Sequence, residues 1–287
     1  MKRLWIAILI VAAGIACRQA PAAPTAPSSG TSTSYGFFTS GSVQLSYRLD
    51  VPAHAAPVGA VVFGHGSGLQ AKDACRIAGV ADGFVARGYA TLCFDKRGVG
   101  ASSGQFMPVS IDNSFALFDE LASDLAAGVT FLRGRPEIDP NRIGVAGPSQ
   151  AGWIVPLAAT KTQPAFMLII VGPTVSVGLE HFYSSIVEVT NAPVEEGYNA
   201  LPSYNGPHGF DPRPVLESLD VPGLWLLGGV DRSIPTPATV AILEQLIARG
   251  KPYSYVVYPT VGHTFPPGWP DIDKWLVKIG YETLGQP

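Results

Sequence analysis

Residues 143–153 read IGVAGPSQAGW and pass from an apolar run through Gly-Pro-Ser into residues typical of a helix start. A strand that turns at once into a helix holds the turn residue in a strained conformation with its side chain projecting. Ser149 stands at that turn, in a pattern close to G-x-S-x-G that has Ala151 in place of the last glycine and Gly152 directly after it. One extra methyl group is small enough for such a turn. Serine is also a good helix cap, so the motif alone leaves a structural role open.

Short apolar segments alternate with helical patterns along the chain. We predict strands at residues 60–64, 89–94, 142–147, 165–172, 223–229 and 253–258, and helices at residues 73–87, 115–133, from 149, 236–249 and 271–284. Before them, residues 42–51 alternate apolar and polar side chains, as a half-buried antiparallel strand does. This pattern predicts a doubly wound, mostly parallel α/β sheet, in which ligands bind at the carboxyl ends of the strands.

Two residues of complementary chemistry follow the last two predicted strands. Asp231 comes just after residues 223–229, and His263 comes just after residues 253–258. A serine hydroxyl becomes an effective nucleophile when a histidine takes its proton and a carboxylate orients that histidine. The order Ser149, Asp231, His263 is that of the hydrolases built on this type of sheet. We therefore predict these three residues as a catalytic triad.

The loop after the first parallel strand reads HGSG at residues 65–68 and is predicted to help stabilise an oxyanion. Acyl transfer needs two N–H donors aimed at the developing negative charge. We predict the backbone of Gln150 as one donor and that of Ser67 as the other, with Gly66 as second choice. His65 is interpreted as structural rather than catalytic.

The segment FDKRGVGAS, residues 94–102, reads as a glycine-rich turn braced by Asp95 and Arg97, although Asp95 is also the rival acid for the triad. A dinucleotide fingerprint in residues 64–72 would need glycine at Leu69. The histidines show no metal-ligand spacing with nearby acids. The predicted chemistry therefore uses no metal and no cofactor.

Residues 1–16 have the layout of a signal peptide, with a basic start and an apolar run too short to cross a bilayer comfortably. Cys17 then fits a bacterial lipidation site. Two further readings of this region stay open: ordinary cleavage after Ala20 or Ala23, and a buried first helix. We predict an exported protein of the bacterial cell envelope, either periplasmic or anchored to the membrane by a lipid.

Residues 17–36 are rich in Ala, Pro, Ser and Thr and are predicted to be a disordered tether, followed by a catalytic domain at residues 37–287. Cys75 and Cys93 are either a disulfide, which export permits, or two buried free thiols. The formal net charge of −3 and the lack of a basic stripe exclude a nucleic-acid partner. A small-molecule ester or a peptide-like compound is the predicted substrate, and the oligomeric state is open.

The motifs GHGSG, FDKRGVGAS, DPNRIGVAGPSQAGW and YPTVGHTF together resemble the α/β-hydrolase superfamily. The likeness covers residues 43–280 and is greatest to bacterial exported hydrolases of the serine aminopeptidase-like and dienelactone hydrolase-like groups. It implies an eight-stranded sheet whose second strand is antiparallel, nucleophile Ser149, acid Asp231 and base His263. Relatives carry a cap where this chain has residues 174–210, a short Pro- and Gly-rich segment predicted to be mostly loop over an open site.

The leading hypothesis is a serine hydrolase that cleaves carboxylic esters through an acyl-enzyme. An aminopeptidase or amidase is the second hypothesis and would need acidic groups for a free amine. Candidates near the cap are Glu180, Glu188, Glu195 and Glu196. A third hypothesis is a non-catalytic, surface-anchored binding lipoprotein, and a fourth is an acyltransferase that excludes water from its site.

Overall fold

The computed structural model of the protein describes residues 30–54 and 56–281. Their strands are β1 (Thr31–Ser40), β2 (Val43–Pro52), β3 (Val58–Phe63), β4 (Ala90–Phe94), β5 (Ile138–Pro148), β6 (Met167–Ile170), β7 (Gly223–Gly228) and β8 (Tyr253–Tyr258). Their α-helices are α1 (Val80–Ala86), α2 (Ser114–Arg133), α3 (Ala151–Thr162), α4 (Val177–Ser184), α5 (Val194–Ala200), α6 (Arg213–Ser218), α7 (Thr236–Ala248) and α8 (Trp269–Lys278). Shorter turns of 3₁₀ helix span Lys72–Gly79 and Leu201–Ser203, and a π-helical turn spans Ser185–Val189.

The strands form one eight-stranded sheet in the order β1-β2-β4-β3-β5-β6-β7-β8. Strands β3 to β8 run parallel, whereas β2 is antiparallel to both of its neighbours. The predicted fold class is therefore confirmed. The chain moves outward from β3 to β4 in one direction and from β5 to β8 in the other, so the carboxyl ends of β3 and β5 border a crevice.

Helices cover both faces of the sheet. Successive residues of a strand point to opposite faces, and in the central strands both sets of side chains are apolar and must be buried. On one face, helices α2, α3 and α7 pack over side chains such as Val145, with Leu125 among the buried contacts. On the other face, Phe84 of α1 and Leu276 of α8 pack with Ala146, the residue after Val145. The continuous apolar runs of the central strands follow from this burial on both sides.

Strand β1 corrects the predicted start of the folded domain. The tether was predicted to reach residue 36, but the structure places Thr31–Ser40 in a strand paired with β2 along its whole length. Residues 31–36 lack an apolar pattern because most of the strand faces solvent, with Tyr35 and Phe37 both exposed. Backbone hydrogen bonds to β2, rather than burial of side chains, order this segment.

A chain that begins at Phe37 should be less stable than one that begins at Gly30. It lacks the six register pairs from Thr31–Pro52 to Gly36–Tyr47. At about 0.5 kcal/mol net for each backbone hydrogen bond of this exposed ladder, the lower end of the usual range, we expect a loss of about 2–4 kcal/mol in the free energy of unfolding. Thermal unfolding followed by circular dichroism should show a Tm lower by about 5–15 °C. Equal Tm values would mean that β1 does not stabilise the domain.

Residues 174–210, predicted as a mostly irregular cap, are largely helical. Helices α4 and α5 pack through aromatic side chains: the rings of Tyr183 and Tyr198 stack with their centres 5.1 Å apart. Phe182 lies against Tyr204 at the same ring-centre distance, 5.1 Å. The loop prediction was wrong because helices of 8 and 7 residues are too short to display a helical period in a segment rich in proline and glycine.

The structure describes the two cysteines that were predicted as a possible disulfide, whereas the predicted signal peptide lies outside it. Cys75, in the first 3₁₀ helix, and Cys93, in β4, form a disulfide with their Cα atoms 6.2 Å apart. The predicted signal peptide, residues 1–16, and the lipidation site at Cys17 lie outside the described residues. Within the described ranges, none of the helices combines the length and apolar character needed to span a bilayer.

Candidate active site

Ser149 occupies a sharp turn between the end of β5 and the start of α3. Its φ angle is 55°, in the left-handed region that residues other than glycine rarely adopt. Two backbone hydrogen bonds hold the turn. Ser149 N–H donates to the Ile170 carbonyl at 2.9 Å, and Gly152 N–H donates to the Ser149 carbonyl at 2.8 Å. The strained elbow predicted at this serine is present.

Glycines around the elbow allow backbone segments to approach one another. A Cβ on Gly147 would lie 2.5 Å from the Ala151 Cβ and 3.0 Å from the Gly64 carbonyl oxygen. A Cβ on Gly152 would lie 2.7 Å from the ring of Pro173. The methyl group of Ala151 thus fills space that is open because Gly147 has no side chain. The crowded backbone at Pro173 is contacted by Gly152 instead, which has no Cβ. This arrangement explains why alanine is tolerated in place of the usual glycine.

The structure brings Ser149, His263 and Asp231 into one hydrogen-bonded chain. His263 Nε2 lies 3.0 Å from Ser149 Oγ. His263 Nδ1 lies 2.9 Å and 3.1 Å from the two carboxylate oxygens of Asp231. Because a carboxylate only accepts, Nδ1 carries the ring proton and Nε2 is free to accept the proton of the serine hydroxyl. The Asp231 side chain is fully buried, whereas His263 is partly open to solvent.

The loop after β7 holds Asp231 in place from several sides. The N–H groups of Ser233 and Ile234 both donate to Asp231 Oδ1 at 2.9 Å. The hydroxyl of Tyr183, on α4, donates to the Asp231 backbone carbonyl at 2.7 Å. Helix α4 of the cap therefore holds the loop that carries Asp231. None of residues 174–210 lines the pocket beside Ser149.

Asp95, the rival acid, is engaged elsewhere. It accepts hydrogen bonds from Lys72 N–H at 2.7 Å, Lys72 Nζ at 2.9 Å and Ala101 N–H at 3.0 Å. Burial opposes its ionisation, but these hydrogen bonds outweigh burial and lower the pKa of Asp95. Arg97 pairs with Asp124 of α2 at 2.7 Å. Both residues brace the loop after β4, in agreement with the sequence interpretation.

The two preferred oxyanion donors lie on either side of the crevice, in the loop after β3 and at the start of α3. Among the described residues, no protein acceptor is found for the N–H groups of Ser67 and Gln150. The N–H of Gly66, the second choice, already donates to Gln70 Oε1 at 3.0 Å and is therefore engaged in this structure. Ser67 is therefore the candidate that remains in this loop.

A pocket of about 470 Å³ opens beside Ser149 and His263. This volume lies in the range typical of small-molecule sites. Most of its wall is apolar, with contributions from Phe63, Ala74, Cys75, Val80, Phe94, Ile170, Val171 and Phe265. In the part of the chain that the structure describes, no three His, Cys, Asp or Glu side chains are arranged to hold a metal ion.

His65 lies in the pocket wall as a buried, neutral side chain. Its Nε2–H donates to the Phe94 carbonyl at 2.6 Å, and its ring packs edge-on against the ring of Phe94. Burial lowers the pKa of His65 to about 4, and the charge of Lys96 acts in the same direction. A histidine that remains neutral and is tied to a backbone carbonyl fits the structural role predicted for it.

His65→Gln should reduce the dependence of stability on pH. Because the pKa of His65 is lower in the folded state than its unfolded value of 6.5, the unfolded state binds more protons between those two values. Folded wild type therefore loses stability as pH falls, by about 2 kcal/mol between pH 7 and 4.5 from this residue. Glutamine keeps an N–H donor and does not titrate. Urea unfolding at pH 7 and at pH 4.5 measures the free energy of unfolding of both proteins. An equal loss of stability between these pH values in wild type and in His65→Gln would contradict the prediction.

Comparison with known families matches residues 80–276 to the prolyl oligopeptidase family. The chain belongs to this family. Together with the sheet order, this match confirms the predicted membership of the α/β-hydrolase superfamily. It places the chain among hydrolases of the serine peptidase and esterase type and leaves the choice between ester and peptide bonds open.

Curated relatives align with part of the chain. Identity is 28% over 174 residues with a provisionally named carboxymethylenebutenolidase of Methylorubrum extorquens, covering 56% of this chain and 51% of that protein. Identity is 34% over 132 residues with the quorum-quenching protein AidA of Acinetobacter baumannii, covering 46% of this chain and 41% of that protein. The chain thus spans about half the length of the curated relatives it matches.

Solved structures share the fold at low sequence identity. Acetyl xylan esterase 1 from Thermoanaerobacterium superposes with a TM-score of 0.62 at 17% identity, covering 88% of this chain and 84% of that one. The acylaminoacyl peptidase of Pyrococcus horikoshii superposes with a TM-score of 0.60 at 19% identity, covering 82% of this chain and 38% of that one. An esterase and a peptidase are therefore both among its structural neighbours.

Sequence reasoning passed over two polar residues beside the site, Gln70 and Lys96. Gln70 accepts the Gly66 N–H, and Lys96 is buried after β4 next to the braced acid Asp95. The signal for Lys96 was available, because it follows a predicted strand at the edge of the sheet where ligands bind.

Proposed function

We propose that this protein is a serine hydrolase that cleaves carboxylic esters through an acyl-enzyme intermediate. The observation that carries the proposal is the hydrogen-bonded chain from Asp231 through His263 to Ser149, with the serine at a strained elbow beside an apolar pocket. Family membership supports a hydrolase. A binding module has no physical need for all three groups in this geometry, which disfavours a non-catalytic role.

Acylation uses the three side chains in sequence. Ser149 Oγ attacks the carbonyl carbon of the ester while His263 Nε2 takes the hydroxyl proton. Asp231 keeps the imidazole oriented and stabilises the positive charge that it gains. The N–H groups of Ser67 and Gln150 donate to the oxygen that becomes negative. When the tetrahedral intermediate collapses, the C–O bond to the alcohol breaks and His263 returns the proton to the leaving oxygen.

Deacylation repeats these steps with water as the nucleophile. His263 takes a proton from water, the resulting oxygen attacks the acyl carbon, and the bond to Ser149 Oγ breaks as the serine recovers its proton. The His263 side chain is partly exposed to solvent, which gives water a route to the imidazole. This access supports hydrolysis over acyl transfer to another nucleophile.

The lining of the pocket supports esters over peptides with a free amino terminus. None of the described residues that line it is an aspartate or glutamate, so a substrate ammonium group would lack a carboxylate partner there. Of the acids near the cap, Glu188, Glu195 and Glu196 are exposed and Glu180 is buried. Burial, assisted by Glu188 and Asp231, raises the pKa of Glu180 to about 8, so this acid is mostly neutral at pH 7.

We assign the apolar pocket to the acyl chain of the ester. Its volume of about 470 Å³ and its walls of aliphatic and aromatic side chains suit short to medium acyl groups. Binding such a chain removes apolar surface from water, which supplies the affinity.

We also propose that the protein works outside the cytoplasm, as its N-terminal residues predict. The Cys75–Cys93 disulfide supports this location, because disulfides persist in oxidising compartments. A small-molecule ester remains the proposed partner.

Ser149→Ala should abolish turnover and labelling by a fluorophosphonate probe while leaving the fold intact. The change removes one oxygen at the pocket and keeps the elbow. Ser218→Ala, an exposed serine on α6, is the matched control and should label like wild type. Activity that persists in a clean Ser149→Ala preparation would exclude this residue from the mechanism. Turnover of nitrophenyl esters against aminoacyl anilides then distinguishes an esterase from a peptidase, and a preference for anilides would overturn the ester assignment.

Ala74→Trp should shift acyl-chain preference towards acetate. Ala74 lines the pocket, and an indole there removes space that longer acyl chains need. We expect kcat/KM for octanoate esters to fall more than about tenfold relative to acetate, since each buried CH₂ contributes about 0.8 kcal/mol. Ala248→Trp, on the exposed end of α7, is the control and should keep the wild-type profile. A change that follows the alcohol rather than the acyl chain would place the leaving group in this pocket.

A further inference from the structure

Lys96 is a buried cation beside the candidate active site. Its side chain follows β4 and is 2% exposed, whereas lysines are almost never fully buried unless they are paired. The ammonium group donates to the Gly66 carbonyl at 2.9 Å, to Gln150 Oε1 at 2.9 Å and to the Gly68 carbonyl at 3.4 Å. In the described part of the chain no carboxylate pairs with it.

The acceptors of Lys96 belong to the two segments that carry the proposed oxyanion donors. The Gly66 carbonyl and the Ser67 N–H are the two ends of one peptide group. That group is planar and trans, so its carbonyl and its N–H point in opposite directions. With Lys96 fixing the carbonyl end, the orientation of the Ser67 N–H is fixed as well. A cation bound to the carbonyl also polarises the peptide group and makes its N–H a stronger donor.

The second donor is tied to the same ammonium group. Gln150 presents its backbone N–H at the start of α3, and its buried side chain accepts from Lys96. The backbone N–H of Lys96 donates to the Gln70 carbonyl at 3.0 Å, and Gln70 Oε1 accepts the Gly66 N–H. One residue thus joins the loop after β3, the loop after β4 and the beginning of α3.

We propose that Lys96 is a positioning residue of the oxyanion hole, which holds and polarises the Gly66–Ser67 peptide group and fixes Gln150 relative to it. The inference rests on the proposed function, because it concerns the oxyanion formed when Ser149 attacks an ester. Its chemical role is to stabilise the tetrahedral state more than the bound substrate.

The charge of Lys96 should be visible in the dependence of rate on pH. Burial lowers the pKa of Lys96 to about 8, so the ammonium form predominates at pH 7 and is lost in mild base. A neutral amine has two N–H donors for the three acceptors. Nearby charged groups have their own partners, since Lys72 pairs with Asp95 and Arg97 pairs with Asp124. His65, with a pKa of about 4, is neutral throughout this range.

The test compares Lys96→Met with Lys161→Met in the purified protein. Lys161 lies on α3 and pairs with Asp119 at the surface, away from the pocket. In Lys96→Met we expect kcat for a nitrophenyl ester to fall about 10- to 100-fold with KM changed less than about threefold, somewhat below the effect of deleting an oxyanion donor. The inhibition constant of a trifluoromethyl ketone, which forms a tetrahedral adduct with the serine, should rise by the same factor. We expect kcat of the wild type to fall above pH 8 and this fall to be absent in Lys96→Met, and Lys161→Met should match wild type throughout.

A second variant keeps the proposal testable if Lys96→Met does not fold. Gln150→Leu removes one acceptor of Lys96 and keeps the backbone N–H, so we expect a smaller loss, about three- to tenfold, in kcat and in ketone affinity. Unchanged ketone affinity in a folded Lys96→Met, or in Gln150→Leu when Lys96→Met is unfolded, would overturn the proposal. A fall in stability or a rise in KM alone would assign Lys96 a purely structural role. Absence of fluorophosphonate labelling in folded wild type would instead refute the proposed function itself.

Discussion

The turn at Ser149 is the constraint on which the rest of the site depends. A non-glycine residue in the left-handed region is retained only where the surrounding structure holds it there. Here β6 accepts the serine's N–H, while Gly147 and Gly152 let neighbouring backbone approach without intervening side chains. The sheet must therefore bring β3, β5 and β6 together tightly at their carboxyl ends. That same convergence places the loop containing Ser67 in the wall of the serine's pocket.

The central sheet and the triad could be predicted from sequence because both follow from simple patterns. Apolar runs buried on two faces indicate parallel strands, and parallel strands deliver the residues after them to one edge. Ser149, Asp231 and His263 could be selected by type and by position after a strand, without knowledge of distances. Strand β1 could not, because its order comes from a backbone ladder to β2 rather than from buried side chains. Backbone hydrogen bonds require no periodic pattern of apolar side chains, and residues 31–36 have none.

The details of the oxyanion site depend on side chains that arrive from other segments. The sequence favours Ser67 and leaves Gly66 as second choice, and the side chain of Gln70 separates the two further by accepting the Gly66 N–H. The cap was misread for a related reason. Its short helices are held by the stacking of Tyr183 on Tyr198 and by the hydrogen bond from Tyr183 to the Asp231 carbonyl. Contacts of this kind exist only after the chain has folded.

Two buried groups of opposite charge, Asp231 and Lys96, lie on the two sides of the site, and the reaction stabilises both of them. Asp231 is fully buried and becomes ion-paired when His263 takes the serine proton. Lys96 is buried with carbonyl oxygens as its partners, and an unpaired buried ammonium group destabilises the resting protein. Negative charge that develops on the substrate oxygen reduces that destabilisation, because charges interact strongly where water is excluded. The electrostatic arrangement therefore stabilises the transition state more than the ground state. Burial of Lys96 lowers the stability of the fold, and the same buried charge lowers the activation barrier of acylation.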